Sequence, residues 1–322
     1  MNDPSPTALA EAVLASQTGG ATSGLPTRLL GRTGERVSIL GLGGWDAGFV
    51  KDDLESIRLM HAALDEGITF FDNAWDYHDG RSEELMGRAL AMDGRREKAF
   101  LMTKNCERGY EGSLSNLEDS LRRLRTDHLD LWQFHEINWD EDPDWLFAEG
   151  GIRAALEARK AGKVRFIGFT GHKHPKHHVA LLNKPFDWDT CQMPINVMDA
   201  SYRSFLNEVV PVCLSKGVAV IGMKGLGGTD APLVTKGGIS AETAYRYALS
   251  QPVATQVVGM WKMEELRQNV ALARGFVPMS ATEQAALVSG AKDAAADGRY
   301  ERFKSTTEFE GPHHKRQHGA PL

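Results

Sequence analysis

The feature that constrains the fold most is a regular alternation between short, β-rich apolar runs and longer stretches with helical periodicity. The helical stretches, such as 54–66, 115–125 and 241–250, carry apolar residues at three- and four-residue steps. The apolar runs end roughly every 30 residues, the length of one strand, its crossover helix and the return. The eight runs are 37–42, 68–72, 99–103, 129–134, 164–169, 190–193, 218–223 and 256–259.

Eight such units in 322 residues predict an α/β fold, a closed (β/α)8 TIM barrel in a single domain. An open doubly wound sheet is the alternative. Residues 27–37 predict an N-terminal β-hairpin that caps the bottom of the barrel, and 281–295 predict an extra helix after it. We expect a flexible tail over 1–26 and one domain over 27–322, with the chain from about 300 covering the barrel mouth. Within it, 311–322 are expected to be irregular.

The composition argues against nucleic-acid-binding, membrane-spanning and secreted classes of protein. The net charge of -6 is spread as mixed acidic and basic residues, so there is no basic stripe for nucleic acid. No window approaches the roughly 18 apolar residues of a membrane span, and 1–24 lack the basic and apolar regions of a signal peptide. We therefore expect a soluble, cytoplasmic protein, monomeric or weakly self-associating, whose partner is a small molecule.

Cysteine and histidine usage gives no sign of a metal site. The three cysteines have no C-x-x-C spacing, and Cys106 is more readily a spectator thiol than a reactive one. The histidine-rich segment 172–178 is interrupted by Pro and Lys and lacks a paired carboxylate, which favours a solvated loop. The acidic run 140–144 also favours a surface loop. No metal is expected.

Polar side chains fall where three neighbouring strands are predicted to end. Asp72 ends the second strand, Lys104 follows the third and His135 follows the fourth, while Tyr77 lies five residues beyond Asp72. Taken singly, each has an ordinary structural explanation as a helix cap, a solvated amine or a satisfied imidazole. Their coincidence at the face where barrel enzymes carry their active sites indicates catalysis.

These residue types suit proton transfer to a carbonyl oxygen. A phenol with a pKa of roughly 10 is a poor acid at neutral pH unless a nearby cation stabilises its anion. Lys104 is expected to be that cation for Tyr77, with Asp72 holding the ammonium in place. His135 is then free to hydrogen-bond the substrate carbonyl. A tyrosine acid beside a carbonyl also requires a source of hydride.

At this point the sequence resembles the aldo/keto reductase family. The resemblance rests on Phe-Asp-Asn-Ala-Trp-Asp-Tyr at 71–77, Thr-Lys at 103–104 and Gln-Phe-His at 133–135, and it extends over 27–277. It implies the same barrel and an NAD(P)H-dependent oxidoreductase that reduces an aldehyde or ketone to an alcohol. Tyr77 would be the proton donor, Lys104 and Asp72 would tune it, and His135 would orient the carbonyl.

The resemblance also implies a cofactor side. NADP is the cofactor it implies, while Glu265, which would repel a 2′-phosphate, leaves NAD as an alternative to it. Many relatives carry a Ser-Asn pair where this chain has Thr170 and Gly171. Thr170 can replace the hydroxyl, and either His172 compensates for the missing amide or the carboxamide has one fewer contact. The substrate pocket would be lined by Trp45, Tyr77, His135 and Trp139. The implied cofactor-binding residues are Gly43, Trp45, Thr170, His172, Gln192, Met223, Lys224, Gly225, Leu226, Gly228, Gly259, Lys262, Glu265 and Asn269.

Two rival functions remain open from the sequence. A lysine at a barrel strand end with a tyrosine nearby also suits a class I aldolase, in which Lys104 would form a Schiff base. Pairing with Asp72 argues against it, because a protonated amine is not a nucleophile. The second rival is a non-catalytic, NADP-sensing regulatory subunit built on the same barrel.

Overall fold

The computed structural model describes residues 5–20, 24–228 and 230–319. Its centre is a closed barrel of eight parallel strands, β4 to β11, which neighbour one another in chain order. The last barrel strand pairs with the first, so the predicted barrel is confirmed and the open sheet is wrong. The strands are β1 (Thr18–Gly20), β2 (Gly24–Leu29), β3 (Arg36–Ser38), β4 (Leu40–Gly43), β5 (Phe70–Asp72), β6 (Phe100–Asn105), β7 (Leu129–Phe134), β8 (Val164–Thr170), β9 (Thr190–Pro194), β10 (Ala219–Met223) and β11 (Thr255–Val258).

The helices surround the barrel, and none within the described ranges is long and apolar enough to cross a membrane. Their amphipathic faces pack on the outer side chains of the strands, as the three- and four-residue spacing predicts. The helices are α1 (Pro6–Ala15), α2 (Gly44–Phe49), α3 (Asp53–Asp65), α4 (Arg81–Leu90), α5 (Tyr110–Leu124), α6 (Asp142–Ala148), α7 (Gly151–Lys160), α8 (Pro175–Leu182), α9 (Phe205–Glu208), α10 (Val210–Ser215), α11 (Pro232–Thr235), α12 (Ala241–Leu249), α13 (Met263–Arg274), α14 (Ala281–Ala295), α15 (Arg302–Ser305) and α16 (Pro312–Gln317).

The side chains inside the barrel form an apolar layer below a polar one. Because strand side chains alternate between faces, Asp72 lies one layer above Phe70, and Lys104 lies one layer above Met102. Phe70 stacks on Phe100 at 5.6 Å between ring centroids. This buried floor consists of Leu30, Val37, Phe70, Phe100, Met102, Leu131, Ala219, Ile221 and Ala254. The polar groups at the top are therefore held from below by a rigid packed layer.

The N-terminal hairpin closes the bottom of the barrel, as predicted. Strands β2 and β3 pair antiparallel, and Leu30, directly after β2, and Val37 of β3 join the apolar floor. At Gly31 (φ 56°) an added Cβ would lie 2.7 Å from the backbone nitrogen of Ala219, so the hairpin approaches the barrel too closely for a side chain. The predicted first run, 37–42, is divided between β3 and β4, because the chain passes from hairpin to barrel within it.

The two terminal segments are more ordered than the sequence predicted. The predicted tail 1–26 contains α1 and β1, and β1 pairs with β2. Residues 1–4 and 21–23 of this tail lie outside the described residues. The predicted irregular stretch 311–322 contains α16, while 320–322 also lie outside them. Neither α1 nor α16 contains a buried residue, so no local apolar pattern predicts them, and their order comes from contacts with the rest of the fold.

Lys304 anchors the C-terminal segment. Its ammonium is fully buried and donates to Asp199 Oδ1 at 2.6 Å, to Glu301 Oε2 at 2.9 Å and to the Tyr202 carbonyl at 3.0 Å. Asn196 donates to the other oxygen of Glu301 at 2.9 Å. A buried ammonium that uses all three hydrogens is satisfied, so this cluster fixes where the chain turns back over the barrel mouth.

Candidate active site

The four predicted catalytic residues meet at the carboxyl ends of β5, β6 and β7. Lys104 Nζ donates to Asp72 Oδ1 at 2.7 Å, to the Asn73 carbonyl at 2.8 Å and to Tyr77 Oη at 3.2 Å. The Tyr77 and His135 rings are 5.7 Å apart. Lys104 and Asp72 are 1% and 3% exposed, so their pairing is shielded from water and its geometry is fixed.

The loop that presents Tyr77 is held from outside by backbone contacts. Trp75 N donates to the Lys104 carbonyl at 3.2 Å, and Arg123 donates to the Trp75 carbonyl at 2.9 Å. The Arg123 guanidinium also lies over the Trp75 ring, 5.3 Å from its centroid. Tyr77 itself donates its backbone N–H to the Ala74 carbonyl. The hydroxyl of Tyr77 therefore has a fixed position relative to Lys104.

At Tyr77, burial outweighs the stabilising effect expected from Lys104. Burial, with the carboxylates of Asp72 and Asp76, raises the pKa of Tyr77 well above its usual value. The reason is that the charge of Lys104 is already balanced by Asp72, which leaves burial as the larger effect. In this site the phenol is consequently held in its protonated, proton-donating form.

His135 is contacted by two groups that the sequence analysis did not assign. Its Nδ1 lies 3.0 Å from Asp76 Oδ1 and 3.6 Å from Cys106 Sγ. Cys106 Sγ donates to the same Asp76 oxygen at 3.3 Å. Burial raises the pKa of the Cys106 thiol well above its usual value, so it is a protonated donor.

Asp76, Cys106 and His135 also have the chemistry of metal ligands. Their three ligand atoms lie within 4.8 Å of one another, and this is the one such group found among the described residues. The separations between them are those of ordinary hydrogen bonds and ion pairs, which protons alone explain. We therefore assign the cluster no metal.

Gln192, predicted to hold the cofactor, touches the catalytic cluster. Its Nε2 donates to Asp72 Oδ2 at 2.7 Å, so both oxygens of Asp72 are occupied. Its Oε1 is buried and has no hydrogen-bond partner within the described part of the chain. An unpaired buried acceptor is costly, and this one has the chemistry to receive an amide N–H.

Gly171 stands where many relatives carry asparagine, and this difference has a steric cause. A Cβ there would lie 2.8 Å from the Ile137 carbonyl oxygen and 2.8 Å from His178 Cε1. Ile137 N donates to the Thr170 carbonyl at 2.9 Å, which brings the loop after β7 against the end of β8. A side chain such as asparagine therefore has no room at this position in this chain.

The carboxylate of Glu136 joins His172 to the C-terminal segment. His172 Nε2 lies 3.2 Å from Glu136 Oε1, and His318 Nε2 lies 3.1 Å from Glu136 Oε2. Although burial opposes it, these two contacts hold the pKa of Glu136 well below its usual range. His318 is also 5.5 Å from the ring of Trp139, a predicted substrate residue. The C-terminal segment thus reaches the predicted pocket.

Lys224 and the glycine-rich loop after β10 pack against the C-terminal segment. Lys224 Nζ is 5.1 Å from the Phe303 ring centroid and 5.8 Å from that of Phe309. Burial, with the charge of Lys104, lowers the pKa of Lys224, although Glu136 opposes this. A Cβ at Gly228 (φ 95°) would lie 3.0 Å from the Phe303 ring. The loop of Met223, Lys224, Gly225, Leu226 and Gly228 is therefore packed.

Next to this loop around the barrel, Asp46 connects α2 to the loop after β11. Its carboxylate accepts a hydrogen bond from the Trp261 indole and lies against Gly259, where an added Cβ would clash with it. Trp45 packs edge-on against Tyr77 at 5.3 Å and is 48% exposed, and Trp261 is 49% exposed. Half-exposed aromatic rings beside the catalytic hydroxyl are suitable for contact with a substrate or cofactor.

Glu265 caps the helix on which the adenosine-binding residues were predicted. Its Oε2 accepts from the backbone N–H of Trp261 at 2.7 Å and of Lys262 at 3.3 Å. These donors belong to the start of α13, where unpaired N–H groups attract anions. A carboxylate already occupies them. Asn269 is half-buried further along α13, and Gly43 ends β4.

Two predicted surface loops are partly buried instead. In 172–178, Pro175 begins α8, and His177 and His178 are buried because they face the core side of that helix. In the acidic run 140–144, Asp142 is fully buried, since it pairs with Arg108 at 2.7 Å and accepts from the Trp139 backbone. The predicted solvated loops were therefore wrong at these positions.

Sequence reasoning missed Asp46, Asp76, Glu136 and His318 as members of the site. Asp76 and Glu136 adjoin Tyr77 and His135 in sequence, so adjacency to a catalytic residue was the available signal. Asp46 follows Trp45 in the same way. His318 had no signal, because it comes from a segment without periodicity, far along the chain.

Comparisons with known proteins agree with the barrel fold. The model of the Aldo/keto reductase family matches residues 39–232. The uncharacterized oxidoreductase YrpG of Bacillus subtilis is 33% identical over 276 residues, which cover 76% of this chain and 81% of that protein. The chain therefore belongs to the aldo/keto reductase family and is an oxidoreductase by that membership.

Other relatives have a named activity or a solved structure. The 6-dehydroglucose reductase of Novosphingobium aromaticivorans is 28% identical, over 83% of this chain and 89% of that protein. The holo form of aldo-keto reductase AKR11C1 from Bacillus halodurans superposes with a TM-score of 0.71 at 25% identity, over 85% of this chain and 99% of that one. A Klebsiella pneumoniae aldo/keto reductase in complex with NADP and acetate has a TM-score of 0.66 at 23% identity, over 80% of this chain and 93% of that one.

Proposed function

We propose that the protein reduces an aldehyde or ketone to the corresponding alcohol, with NADPH as the hydride donor and Tyr77 as the proton donor. The observation that carries the proposal is the ammonium of Lys104, whose three hydrogen bonds go to Asp72 Oδ1, the Asn73 carbonyl and Tyr77 Oη. This arrangement keeps Lys104 charged and fixes the hydroxyl that must release a proton.

The residues divide the reaction between them. A bound reduced nicotinamide supplies the hydride that adds to the carbonyl carbon. Tyr77 gives its proton to the carbonyl oxygen as the carbon–oxygen π bond breaks, and Lys104 Nζ stabilises the phenolate that remains. His135 hydrogen-bonds the same oxygen and orients the carbonyl, while Asp72 holds Lys104. Trp45 and Trp139 line the substrate pocket.

Unpaired polar atoms support a nicotinamide at the ends of β8 and β9. Gln192 Oε1 is a buried acceptor without a partner among the residues described, and it suits the amide nitrogen of a carboxamide. His172 faces Glu136 through Nε2, and its buried Nδ1 is likewise unpaired. Thr170, Lys224 and the glycine loop would complete this side, with Gly259, Lys262, Glu265 and Asn269 towards the adenosine.

The same contacts weigh against a Schiff-base aldolase. An amine that forms an imine must present a lone pair, whereas Lys104 is 1% exposed and uses all its hydrogens as an ammonium.

A measurement of carbonyl reduction distinguishes the reductase from the non-catalytic alternative. Tyr77→Phe removes the transferred proton and should lower kcat about 10²- to 10⁴-fold for carbonyl reduction. NADPH binding, followed by fluorescence, should be retained.

The matched control is Tyr110→Phe, which removes a solvent-side hydroxyl whose partner is Glu157. It should leave both turnover and NADPH binding unchanged. Wild-type protein that binds NADPH and reduces no member of a broad panel of aldehydes and ketones would favour the regulatory role. Full turnover by Tyr77→Phe would show that another group donates the proton.

A further inference from the structure

Asp76 makes a contact with His135 that no part of the proposed reaction yet uses. Asp76 Oδ1 lies 3.0 Å from His135 Nδ1, and the two side chains are 14% and 8% exposed. Little water therefore competes for the contact. Asp76 directly precedes Tyr77, whose backbone is fixed by the loop after β5, so the carboxylate and the catalytic hydroxyl are positioned together.

The contact determines which ring nitrogen is left for the substrate. Nδ1 faces Asp76 and Cys106, and Nε2 has no hydrogen-bond partner in the part of the chain that the structure describes. A carbonyl oxygen only accepts hydrogen bonds, so Nε2 must carry a hydrogen to bind it. With a second hydrogen on Nδ1 towards Asp76, the ring is an imidazolium. A charged donor makes a stronger hydrogen bond than a neutral one.

We propose that Asp76 is a positioning residue that holds His135 by Nδ1 and stabilises its doubly protonated form, so that Nε2–H is presented to the substrate carbonyl. This inference rests on the proposed carbonyl reduction. It assigns Asp76 no contact with the substrate, because its action passes through the imidazole ring.

The other charged groups nearby are already paired. Lys104 is balanced by Asp72, and Glu136 is shared by His172 and His318. The Cys106 thiol stays protonated and donates to Asp76. Burial by itself would raise the pKa of Asp76, yet the contact with His135 outweighs it and lowers that pKa below its usual value. Asp76 therefore faces His135 Nδ1 as a carboxylate.

The test uses the full chain labelled with ¹⁵N-histidine at neutral pH. The His135 signals are assigned by comparison with His135→Gln. In the wild type both ring nitrogens should give signals typical of protonated nitrogen. In Asp76→Asn, Nδ1 should move to the range of an unprotonated nitrogen, because the amide offers no negative charge. The kcat for carbonyl reduction should fall about 10- to 100-fold, since a charge-assisted hydrogen bond is replaced by a neutral one. NADPH affinity should be unchanged.

Asp79→Asn is the matched control, because it makes the same chemical change at an exposed position in the same loop. Its His135 signals and kcat should equal those of the wild type. A wild-type spectrum in which His135 carries a single proton overturns the inference, as does an Asp76→Asn spectrum identical to the wild type. These signals do not depend on turnover. If the His135 signals behave as expected while Tyr77→Phe keeps full activity, the proposed reaction is wrong. The role of Asp76 in holding His135 then still stands.

Discussion

His318 Nε2 lies 3.1 Å from Glu136 Oε2, which joins the C-terminal segment to the residue directly after His135. The other ring nitrogen of His318 donates to the Cys106 carbonyl at 2.6 Å. Both ends of the imidazole are therefore bonded to the barrel mouth, and the ring is 1% exposed. The His318 ring also lies 5.5 Å from that of Trp139.

His318→Ala should release this end of the chain. Glu136 would lose one of its two partners and the Cys106 carbonyl would lose a donor, at a cost of about 1 to 3 kcal/mol for a buried polar group left unpaired. We expect a lower free energy of unfolding in urea and faster proteolytic cleavage after residue 305. His313→Ala, at an exposed position of α16, is the control and should change neither. Equal cleavage rates in the two variants would mean that His318 does not hold the segment.

Gly171→Ala should destabilise the fold. The added Cβ would meet the Ile137 carbonyl oxygen at 2.8 Å, and backbone cannot move aside as a flexible side chain does. Overpacking of this kind costs about 1 to 3 kcal/mol. Gly290→Ala in α14 is the matched change, because nothing lies within 4 Å of its added Cβ. That variant should gain about 0.5 to 1 kcal/mol from helix propensity. Urea unfolding of both proteins measures the difference, and a stable Gly171→Ala would contradict the packing.

His178 should make the fold sensitive to acid. It is fully buried between Phe169 and Phe205, and neither ring nitrogen has a hydrogen-bond partner among the described residues. Burial, with the charge of His177, lowers its pKa from 6.5 to about 3. Below pH 6.5, His178 is protonated in the unfolded chain, whereas in the folded chain it stays neutral until the pH falls to about 3. Stability from this group is therefore complete above pH 6.5 and is lost as the pH falls.

Between pH 7 and 5 the loss from His178 should be about 2 kcal/mol. His178→Phe places a ring without a titratable group in the same aromatic pocket, so its unfolding free energy should fall by that much less over the same interval. His313→Gln, which changes an exposed histidine, should keep the wild-type slope. Identical pH slopes for His178→Phe and the wild type would contradict the neutral, buried state.

The barrel was predictable because its information is local and repeated. Each strand has its own apolar run, each helix its own period, and parallel strands joined by helices have few ways to close. The same rule predicts Asp72, Lys104 and His135 at one mouth. The terminal segments escaped prediction, since α16 has no buried face of its own and is held through His318 and the buried Lys304.

The sequence by itself determined the barrel, the strand ends and the identity of the four central side chains, because alternation along a strand fixes which residues face inwards. Only the tertiary structure decided how those groups are paired. In the folded chain Gln192 donates to Asp72, Asp76 contacts His135, and His318 contacts Glu136. Burial also raises the pKa of Tyr77 despite the nearby Lys104. Such pairings depend on distances of about 3 Å between residues far apart in the chain, and on burial, which no local pattern encodes.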